Sequence, residues 1–520
     1  MKNFIRVIAF LVAAFTVVSF GGCFDYSYID DTSDTVPDKL QSSEKKMIDE
    51  IKINLAYNSA DSLDPYAAKS DLNRNLSSLI YDSLFEVDNT FKAVAQIAES
   101  YVQTEDKITV TLKKSLYFFD SSALGAEDVV YSFNTAKTSE RYKTALSVFK
   151  SAESSGSNVD FYFAEPCPEG VNLLSFPIIK SNSFKNGTKT DISLGSGRYT
   201  LSENKDGTLY LTCNEKRLGG YTPVYRNLGL VSASDNESIH SLFSLGHSNF
   251  ITETFNDGNY TQTIGATNKI TLSNVVYLVC KKSNKIFEDP KVKQAISLAI
   301  NRDEIADYSF INYAKSAYTP LHPDYYKTAK RKNENETFDI QKSKDALDSA
   351  GFTNINPKYN FRYADGKILE FNLAVCKDNS FKVSAAKKIK EQLDAVGIQV
   401  SVKEYEEKDF LNAVKSGKYD MYIGECKLTN ALDLSVFFTE GSAVSYGIDA
   451  KCESAQKYTD YKNGSVTLDD FLDTFTSEMP FIPLLYRYGA ASANSAMAVA
   501  DNTIVTDYYY NAENWKSIND

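Results

Sequence analysis

Residues 125–134 read Gly-Ala-Glu-Asp-Val-Val-Tyr-Ser-Phe-Asn, and their apolar side chains recur with the period of a helix. Ala126, Val129, Val130 and Phe133 fall at i, i+3, i+4 and i+7, which places them on one helical face. Upstream, residues 108–112 alternate apolar and polar side chains as a strand does. The order of strand and helix indicates a mixed α/β protein.

Strand and helix patterns continue toward the carboxyl end of the chain. Asp289 is a good helix N-cap and Pro290 suits the first helical position. Asp339 is a second N-cap, for a helix that should stop at Gly351. From residue 368 the chain reads strand, helix, strand, with a short helix near 410–414 and another strand over 419–423. This alternation predicts a sheet with helices on its faces.

The amino terminus has the features of an export signal. Lys2 and Arg6 precede an apolar stretch over 7–20, which is shorter than the roughly 20 residues of a membrane-spanning helix. Cys23 follows two glycines, and its position resembles the lipobox of bacterial lipoproteins. We therefore expect residues 1–22 to be a lipoprotein signal peptide, Cys23 to carry lipid, and residues 23–49 to form a flexible tether. The alternative is a plain secretory signal with an incidental cysteine.

Removal of residues 1–22 takes away two basic residues and no acidic one, so the formal charge moves from −12 to −14. An acidic mature chain argues against nucleic acid or anionic lipid as a partner, because both require a basic surface. We expect contact with the bacterial membrane only through the lipid anchor.

The sequence contains no pattern typical of catalysis or of metal binding. The six remaining cysteines are widely spaced without a Cys-x-x-Cys pair, and the three histidines, His240, His247 and His322, do not cluster. There is no Gly-x-Ser-x-Gly elbow and no phosphate-binding loop. We therefore expect no catalytic residue, no metal and no cofactor. The sequence allows one or two disulfides in an exported chain and does not decide whether they form.

Several motifs, in their order along the chain, resemble the family 5 extracellular solute-binding proteins of ABC importers. These motifs are Asp64-Pro65; 97–100 with the strand 108–112 and the segment 119–132; Gly195-Ser196-Gly197-Arg198-Tyr199; 287–295 with 299–302; Gly397-Ile398; Tyr419-Asp420-Met421; and 480–484. No single motif is decisive, but the ordered set is specific to that family.

The resemblance implies an α/β, two-lobe periplasmic-binding-protein-like fold of the class II type, with three domains and a ligand cleft between the lobes. Domain I would comprise 50–78, 186–275 and 490–520, domain II 79–185, and domain III 276–489. The chain would cross between the lobes near 277–281 and 486–488, and these crossings would act as the hinge.

The function that this resemblance implies is binding without chemistry. A small-molecule or peptide ligand would be captured by lobe closure and delivered to an ABC permease with its ATPase subunits. The protein would be an extracytoplasmic monomer and not an enzyme. A secreted hydrolase or a surface adhesin that reuses the fold is the alternative, because fold alone does not determine function.

Candidate ligand contacts come from both sides of the expected cleft. They are Tyr57, Asn58, Asp61 and Asp64 in the first lobe, Glu425, Lys427, Thr429, Asn430 and Asp433 in the second, and Tyr486, Arg487 and Tyr488 at the hinge.

The 425–433 loop is the predicted specificity determinant, because it follows a strand and ligands of open α/β sheets sit beyond the carboxyl ends of strands. In peptide-binding family members a Trp-x-x-Asp segment here holds the ligand's amino terminus. Glu425 stands in place of the Trp and Leu428 in place of the Asp. One possibility is that Glu425 or Asp433 replaces the missing Asp and binds the ligand's amino group from a shifted position. A second is that Lys427 binds an anionic ligand instead. A third is that these charged residues only cap a solvated loop.

Overall fold

The computed structural model describes residues 47–183, 192–256, 258–260, 265–329, 331, 337–364, 366–494, 497–498 and 503–517. Within these ranges the α-helices are α1 (Asp71–Ile80), α2 (Ala126–Thr138), α3 (Asn236–Ser244), α4 (Pro290–Ala299), α5 (Arg302–Tyr308), α6 (Ile340–Ser349), α7 (Ser380–Asp394), α8 (Glu407–Ser416), α9 (Ser435–Phe438), α10 (Glu453–Lys462) and α11 (Leu468–Glu478). The strands are β1 (Asn54–Asn58), β2 (Phe85–Val87), β3 (Ala93–Ala95), β4 (Ala98–Gln103), β5 (Lys107–Leu112), β6 (Phe149–Ser155), β7 (Asn158–Phe163), β8 (Tyr199–Glu203), β9 (Leu209–Cys213), β10 (Asn227–Ala233), β11 (Phe250–Glu253), β12 (Ala266–Cys280), β13 (Ala314–Ser316), β14 (Asn354–Ile355), β15 (Arg362–Ala364), β16 (Lys367–Ile368), β17 (Glu370–Cys376), β18 (Gln399–Tyr405), β19 (Met421–Lys427), β20 (Ile482–Ala493), β21 (Met497–Ala498) and β22 (Lys516–Ser517).

An 11-stranded sheet with the order β18-β17-β19-β12-β20-β11-β1-β10-β9-β8, and β13 also on β20, connects the two halves of the molecule. The two longest strands, β12 and β20, pair antiparallel at its centre. Their register shifts between Thr271 and Val275. Before this shift β20 also pairs with β11, and after it β12 pairs with β19. The shift therefore marks where the chain passes between the halves, beside the predicted crossing at 486–488.

Hydrophobic cores lie on both sides of this crossing. We call β1–β11, α1–α3 and residues 503–517 the first lobe, and α4–α11 with β13–β19 the second lobe. The first lobe has one core around Phe133 and another around Trp515. The second lobe has one around Ile296 and another around Phe437, and the core around Phe437 also includes Val87 and Phe91 of the first lobe. Each lobe thus has a core, and one core continues across the junction, while the predicted domain bounds stay a prediction.

The sequence predicted most helices well and some strands only approximately. Helix α2 buries Val129 and Phe133, as the periodicity required. Asp289 and Asp339 cap α4 and α6 by accepting backbone N–H bonds. The strand expected over 419–423 instead runs from Met421 to Lys427, because its pairing with β12 continues to the end of that segment.

The Gly195-Ser196-Gly197 turn is a point of close backbone approach. A Cβ at Gly197 would lie 2.5 Å from the backbone carbon of Ile80, at the end of α1. Glycine is therefore required by packing here and not by a bound phosphate.

The six cysteines in the described residues are all free thiols, and four of them are buried. No disulfide forms among them, so the stability of these ranges comes from packing and polar contacts.

A buried ion pair fixes the carboxyl-terminal segment to the first lobe. Arg198 Nη2 lies 2.5 Å from Asp507 Oδ2, and their side chains are 7% and 2% exposed. Arg198 also donates to the Tyr509 carbonyl at 2.9 Å. Since neither charge reaches water, each depends on the other.

Replacing Asp507 with asparagine should therefore leave the Arg198 charge buried and unpaired. We expect Asp507→Asn to lower the free energy of unfolding by about 3–5 kcal/mol, measured by urea denaturation followed by circular dichroism. The matched control is Asp449→Asn, whose ion pair with Lys282 is more than half exposed and should contribute at most about 1 kcal/mol. Equal losses in the two variants would contradict the assignment.

Candidate ligand-binding site

Two small cavities lie near the junction of the lobes. One, of about 40 Å³, has a largely polar lining that belongs wholly to the first lobe and includes Ser77, Ser83, Gln96, Arg141, Ser175 and Thr506. The other, of about 20 Å³, is lined from both lobes by residues that include Cys167, Glu169, Tyr325, Asp433 and Lys462. Each has room for only a few water molecules, so neither encloses a solute in this conformation.

A wider depression of about 700 Å³ lies on the second lobe and is bordered by Asp303, Glu304 and Asp307. It is open to solvent and none of its lining residues comes from the first lobe. Movement of the lobes cannot enclose a ligand there, so the cavity that is lined from both lobes marks the better site.

The 428–433 segment contacts the first lobe directly. Asn430 Nδ2 donates to Ser175 Oγ at 3.3 Å, and the Asn430 carbonyl accepts from Asn172 Nδ2 at 3.1 Å. Ser175 lines the first cavity, and Asp433 lines the second. The predicted loop therefore lies beside both cavities.

Two further residues of this loop differ in their contacts. Asp433 Oδ1 accepts from the Ser435 backbone at 2.9 Å and from the Tyr458 hydroxyl at 2.9 Å. Thr429 Oγ1 is buried and has no hydrogen-bond partner within the ranges that the structure describes. Their role in ligand binding stays a prediction.

Lys427 is the last residue of β19 and its side chain is exposed. Partial burial nevertheless lowers its pKa, which Asp71 raises and Arg141 and Arg74 lower. These three charged neighbours all belong to the first lobe. Lys427 therefore lies within electrostatic range of charged residues of the first lobe.

Glu425, two residues earlier, is held by three side chains. Its Oε1 accepts from Arg487 Nη1 at 2.6 Å and from Asn274 Nδ2 at 2.8 Å, and Lys382 Nζ lies 2.8 Å from Oε2. Burial raises the pKa of this carboxyl, but Lys382 and Arg487 outweigh it and hold the pKa at about 2. Glu425 is thus a carboxylate with its charge already compensated by the protein.

The hinge candidates are also engaged within the protein. Arg487 Nη2 donates to the Phe255 carbonyl at 2.6 Å and to the Thr254 carbonyl. Tyr486 is fully buried and donates to the Pro320 carbonyl at 2.8 Å. Tyr488 is half-buried, with Lys269 Nζ 5.2 Å from the centre of its ring. These contacts stabilise the crossing, and none excludes a ligand.

The first-lobe acidic candidates organise the loop that precedes α1. Asp61 Oδ2 accepts the backbone N–H bonds of Lys69 and Ser70 at 2.8 and 2.7 Å. Burial raises the pKa of Asp61, but these hydrogen bonds lower it by more, so the net shift of the pKa is downward. Asp64 is 4% exposed and accepts from Ser193 Oγ at 3.2 Å.

The other two first-lobe candidates are the last two residues of β1. Asn58 Oδ1 accepts the Ala60 N–H at 2.9 Å, and its own N–H donates to Asn73 Oδ1 at 2.8 Å. Tyr57 packs against the first-lobe core around Trp515. Contact of Tyr57 or Asn58 with a ligand stays a prediction.

Sequence reasoning missed the arginines of this region. Arg141 Nη1 donates to the Arg74 carbonyl at 3.2 Å and lies near Ser77 Oγ at 3.5 Å, and its guanidinium carbon is 5.0 Å from the centre of the Tyr142 ring. Arg74 and Arg141 belong to no motif. They come together only because α1, which carries Arg74, lies beside the end of α2, which Arg141 follows.

Glu86 introduces a titratable group into the first cavity. Burial and the nearby Asp507 raise its pKa to about 7, against the lowering effect of Arg198 and Arg217 and the smaller raising effect of Asp82. A carboxyl with this pKa changes charge near neutral pH.

No group of three or more His, Cys, Asp or Glu residues in the described part of the chain is arranged to hold a metal ion. Likewise, no helix among the described residues is long and apolar enough to cross a membrane.

Two lobes joined by the crossing strands β12 and β20 define the class of periplasmic solute-binding proteins, and solved structures of that class share this fold. The chain aligns with NikA from Brucella suis in complex with Fe(III)-EDTA at a TM-score of 0.67 and 20% identity, covering 89% of this chain and 99% of that one. The murein tripeptide-binding protein MppA, in its unliganded open form, aligns at 0.73 and 15% identity, covering 89% and 97%.

Within that class, the chain belongs to the bacterial extracellular solute-binding proteins of family 5, whose model matches residues 92–433. Oligopeptide-binding protein AppA of Bacillus subtilis is 23% identical over 486 residues, 86% of this chain and 87% of the relative. Glutathione-binding protein GsiB of Salmonella typhimurium is 23% identical over 468 residues, 81% and 86%. These relatives are substrate-binding proteins, so the predictions of the family, of the two-lobe α/β fold and of a non-enzyme are confirmed.

The pKa of Glu86 predicts how stability depends on pH. The folded pKa is about 7 against a reference of 4.5, so between these values the folded protein binds more protons than the unfolded chain. The free energy of unfolding should therefore fall as the pH rises through this window and stay lower above it. Glu86→Gln should remove that fall and be more stable than the wild type by about 1–2 kcal/mol at pH 8, with the difference vanishing near pH 4.5.

The measurement is urea denaturation from pH 4.5 to 8. Glu99→Gln is the matched control, because Glu99 is exposed on β4 and should leave the pH dependence unchanged. Parallel curves for the wild type and Glu86→Gln would show that Glu86 does not titrate in this window.

Proposed function

We propose that this protein is the lipid-anchored, extracytoplasmic receptor of an ABC importer. It captures a peptide or similar small solute by closure of its two lobes and delivers the solute to the permease, which works with its ATPase subunits. The receptor acts as a monomer and carries lipid on Cys23, which lies outside the described residues.

The observation that carries this proposal is a junction of two lobes that β12 and β20 cross, with a cavity lined from both lobes. The pairing of β12 with β20 shifts in register at that junction. Hinges are commonly a few residues at the ends or irregularities of such elements, so this shift is the proposed position of the hinge. Closure about it would bury a ligand from water.

The ligand class draws on the relatives. AppA is named for oligopeptides and GsiB for glutathione, both of which carry peptide bonds and carboxylates. We propose a solute of this kind for this chain. The 425–433 loop is the proposed specificity determinant, and its Asn430 contacts the first lobe directly.

A solute that fits should stabilise and compact the protein. At 100 times its Kd, a ligand that binds only the folded state adds about 2.7 kcal/mol to the free energy of unfolding. We expect a thermal-shift screen of oligopeptides and glutathione to find such a ligand, and small-angle scattering to show a smaller radius of gyration with it. Hydrolysis of these peptides at enzymatic rates by the purified protein would favour the hydrolase alternative.

The lipid anchor is tested separately. Wild-type protein should fractionate with membranes and carry a diacylglyceryl mass on Cys23, and Cys23→Ala should lose both. Cys376→Ala, which removes a half-buried thiol of the second lobe, should remain with the membranes. Mature wild-type protein that begins at any residue other than Cys23 would refute the anchor.

A further inference from the structure

One buried carboxylate of the first lobe is held by side chains of the second lobe. Glu169 lies between β7 and β8 and is buried. Its Oε1 accepts from the Tyr325 hydroxyl at 2.9 Å, its Oε2 accepts from the Tyr326 hydroxyl at 3.2 Å, and Lys327 Nζ pairs with Oε1. These three consecutive residues lie between β13 and α6. A buried carboxylate is stable only where such groups compensate it, so this one depends on contact between the lobes.

An aromatic side chain of the first lobe crosses the junction beside this carboxylate. Phe91 lies in the turn between β2 and β3 and is fully buried in the core that continues across the junction. The centre of its ring is 4.8 Å from that of His322. The backbone N–H of Tyr326 donates to the Thr90 carbonyl of the same turn at 3.0 Å. The turn is therefore bound to the segment that also holds Glu169.

The backbone of this turn is strained at the inserted residue. Phe91 has a φ of 59°, a left-handed conformation that a bulky side chain rarely adopts. Its carbonyl accepts from Asn172 Nδ2 at 2.9 Å. Strain of this kind persists where surrounding contacts fix it, and the ring of Phe91 finds such contacts in the second lobe. The turn can relax when the lobes separate.

The same contacts reach the crossing strand and the predicted specificity loop. Tyr486 of β20 donates to the Pro320 carbonyl at 2.8 Å, and its ring centre lies 4.7 Å from that of His322. On the other side, Asn172 also donates to the Asn430 carbonyl at 3.1 Å. Contact between the lobes at this place is thus connected to both parts of the molecule that the proposed closure involves.

We propose that Phe91 and Glu169 of the first lobe and residues 320–327 of the second form a latch that favours the closed form in the absence of ligand. The ligand-free protein then populates open and closed forms, the latch sets their ratio, and a solute that fits completes closure. The inference rests on the lobe movement of the proposed function and on no particular ligand.

The latch is strong enough to bias the equilibrium and still reversible. Separation of the lobes exposes an aromatic ring to water and breaks hydrogen bonds to a carboxylate, and both changes cost free energy. Hydration of the released Glu169 and Lys327 and relaxation of the strained turn offset part of that cost. Removal of either the ring or the carboxylate should therefore shift the protein toward the open form.

Cys167 reports the separation of the lobes without any ligand. It is a buried free thiol that lines the cavity shared by both lobes, so a maleimide should reach it when they separate. Cys213 and Cys280 are free thiols buried in the cores around Trp515 and Ile296. Their reaction reports unfolding and not lobe movement, which makes them internal controls.

The test compares Glu169→Gln and Phe91→Ala with the wild type, each freed of co-purified solute by dialysis in urea and refolded. Each variant should raise the ratio of open to closed protein about 10-fold or more, because it removes a charge-assisted hydrogen bond or a buried ring. N-ethylmaleimide should then label Cys167 severalfold faster, as measured by mass spectrometry of peptides, and small-angle scattering should give a larger radius of gyration. Glu153→Gln, on the exposed part of β6, is the matched control and should behave as the wild type does.

Faster labelling of Cys167 in both variants, with Cys213 and Cys280 unchanged, supports the latch. Labelling of Cys167 at the wild-type rate in both variants overturns it, and so does equal acceleration at all three thiols, which would indicate unfolding. The proposed function fails separately. If glutathione and oligopeptides compact no form of the protein while Cys167 still responds, the latch stands and the peptide receptor does not; if a peptide compacts the wild type and Cys167 does not respond, the receptor stands and the latch does not.

Discussion

The arrangement of the two lobes depends on a charge buried at the crossing. The Arg487 side chain is 2% exposed and lies on β20 where that strand leaves one lobe for the other. A buried guanidinium is tolerated only where acceptors surround it. Glu425 supplies one from the second lobe, and the Thr254 and Phe255 carbonyls supply others just after β11 of the first lobe. The same side chain therefore ties both lobes to the hinge.

This constraint extends to the cleft through the strand that carries Glu425. Successive side chains of a strand alternate between faces, so Glu425 and Lys427 share one face of β19 while Cys426 faces the other way. Locking Glu425 against Arg487 and Lys382 thus also sets the direction in which Lys427 leaves the end of the strand. One carboxylate thus serves the hinge, and Lys427 follows it at the end of the strand.

The first lobe presents opposite electrostatic surroundings a short distance apart. Burial, with Asp507 nearby, raises the pKa of Glu86, although Arg198 and Arg217 are close. The Arg141 guanidinium lies beside the end of α1, where it donates to the Arg74 carbonyl. Arg141 and Glu86 line the same cavity, which therefore has a cationic side and an acidic side. A molecule with charges of both signs, such as a peptide, has a defined orientation in such a field.

The sequence by itself determined the family, the two-lobe α/β fold and the helices. Helices are readable because their signals are local: the apolar stripe of α2 and the caps Asp289 and Asp339 act within one or two turns. Strand β19 was displaced because its ends depend on pairing with β12, about 150 residues away in the chain. Only the tertiary structure decided which charged side chains are paired within the protein. Glu425 and Lys427 look alike as candidates in the sequence, and Arg141 belongs to no motif. Their different roles arise from partners distant along the chain, such as Arg487 for Glu425 with a separation of 62 residues, and no local pattern records such contacts.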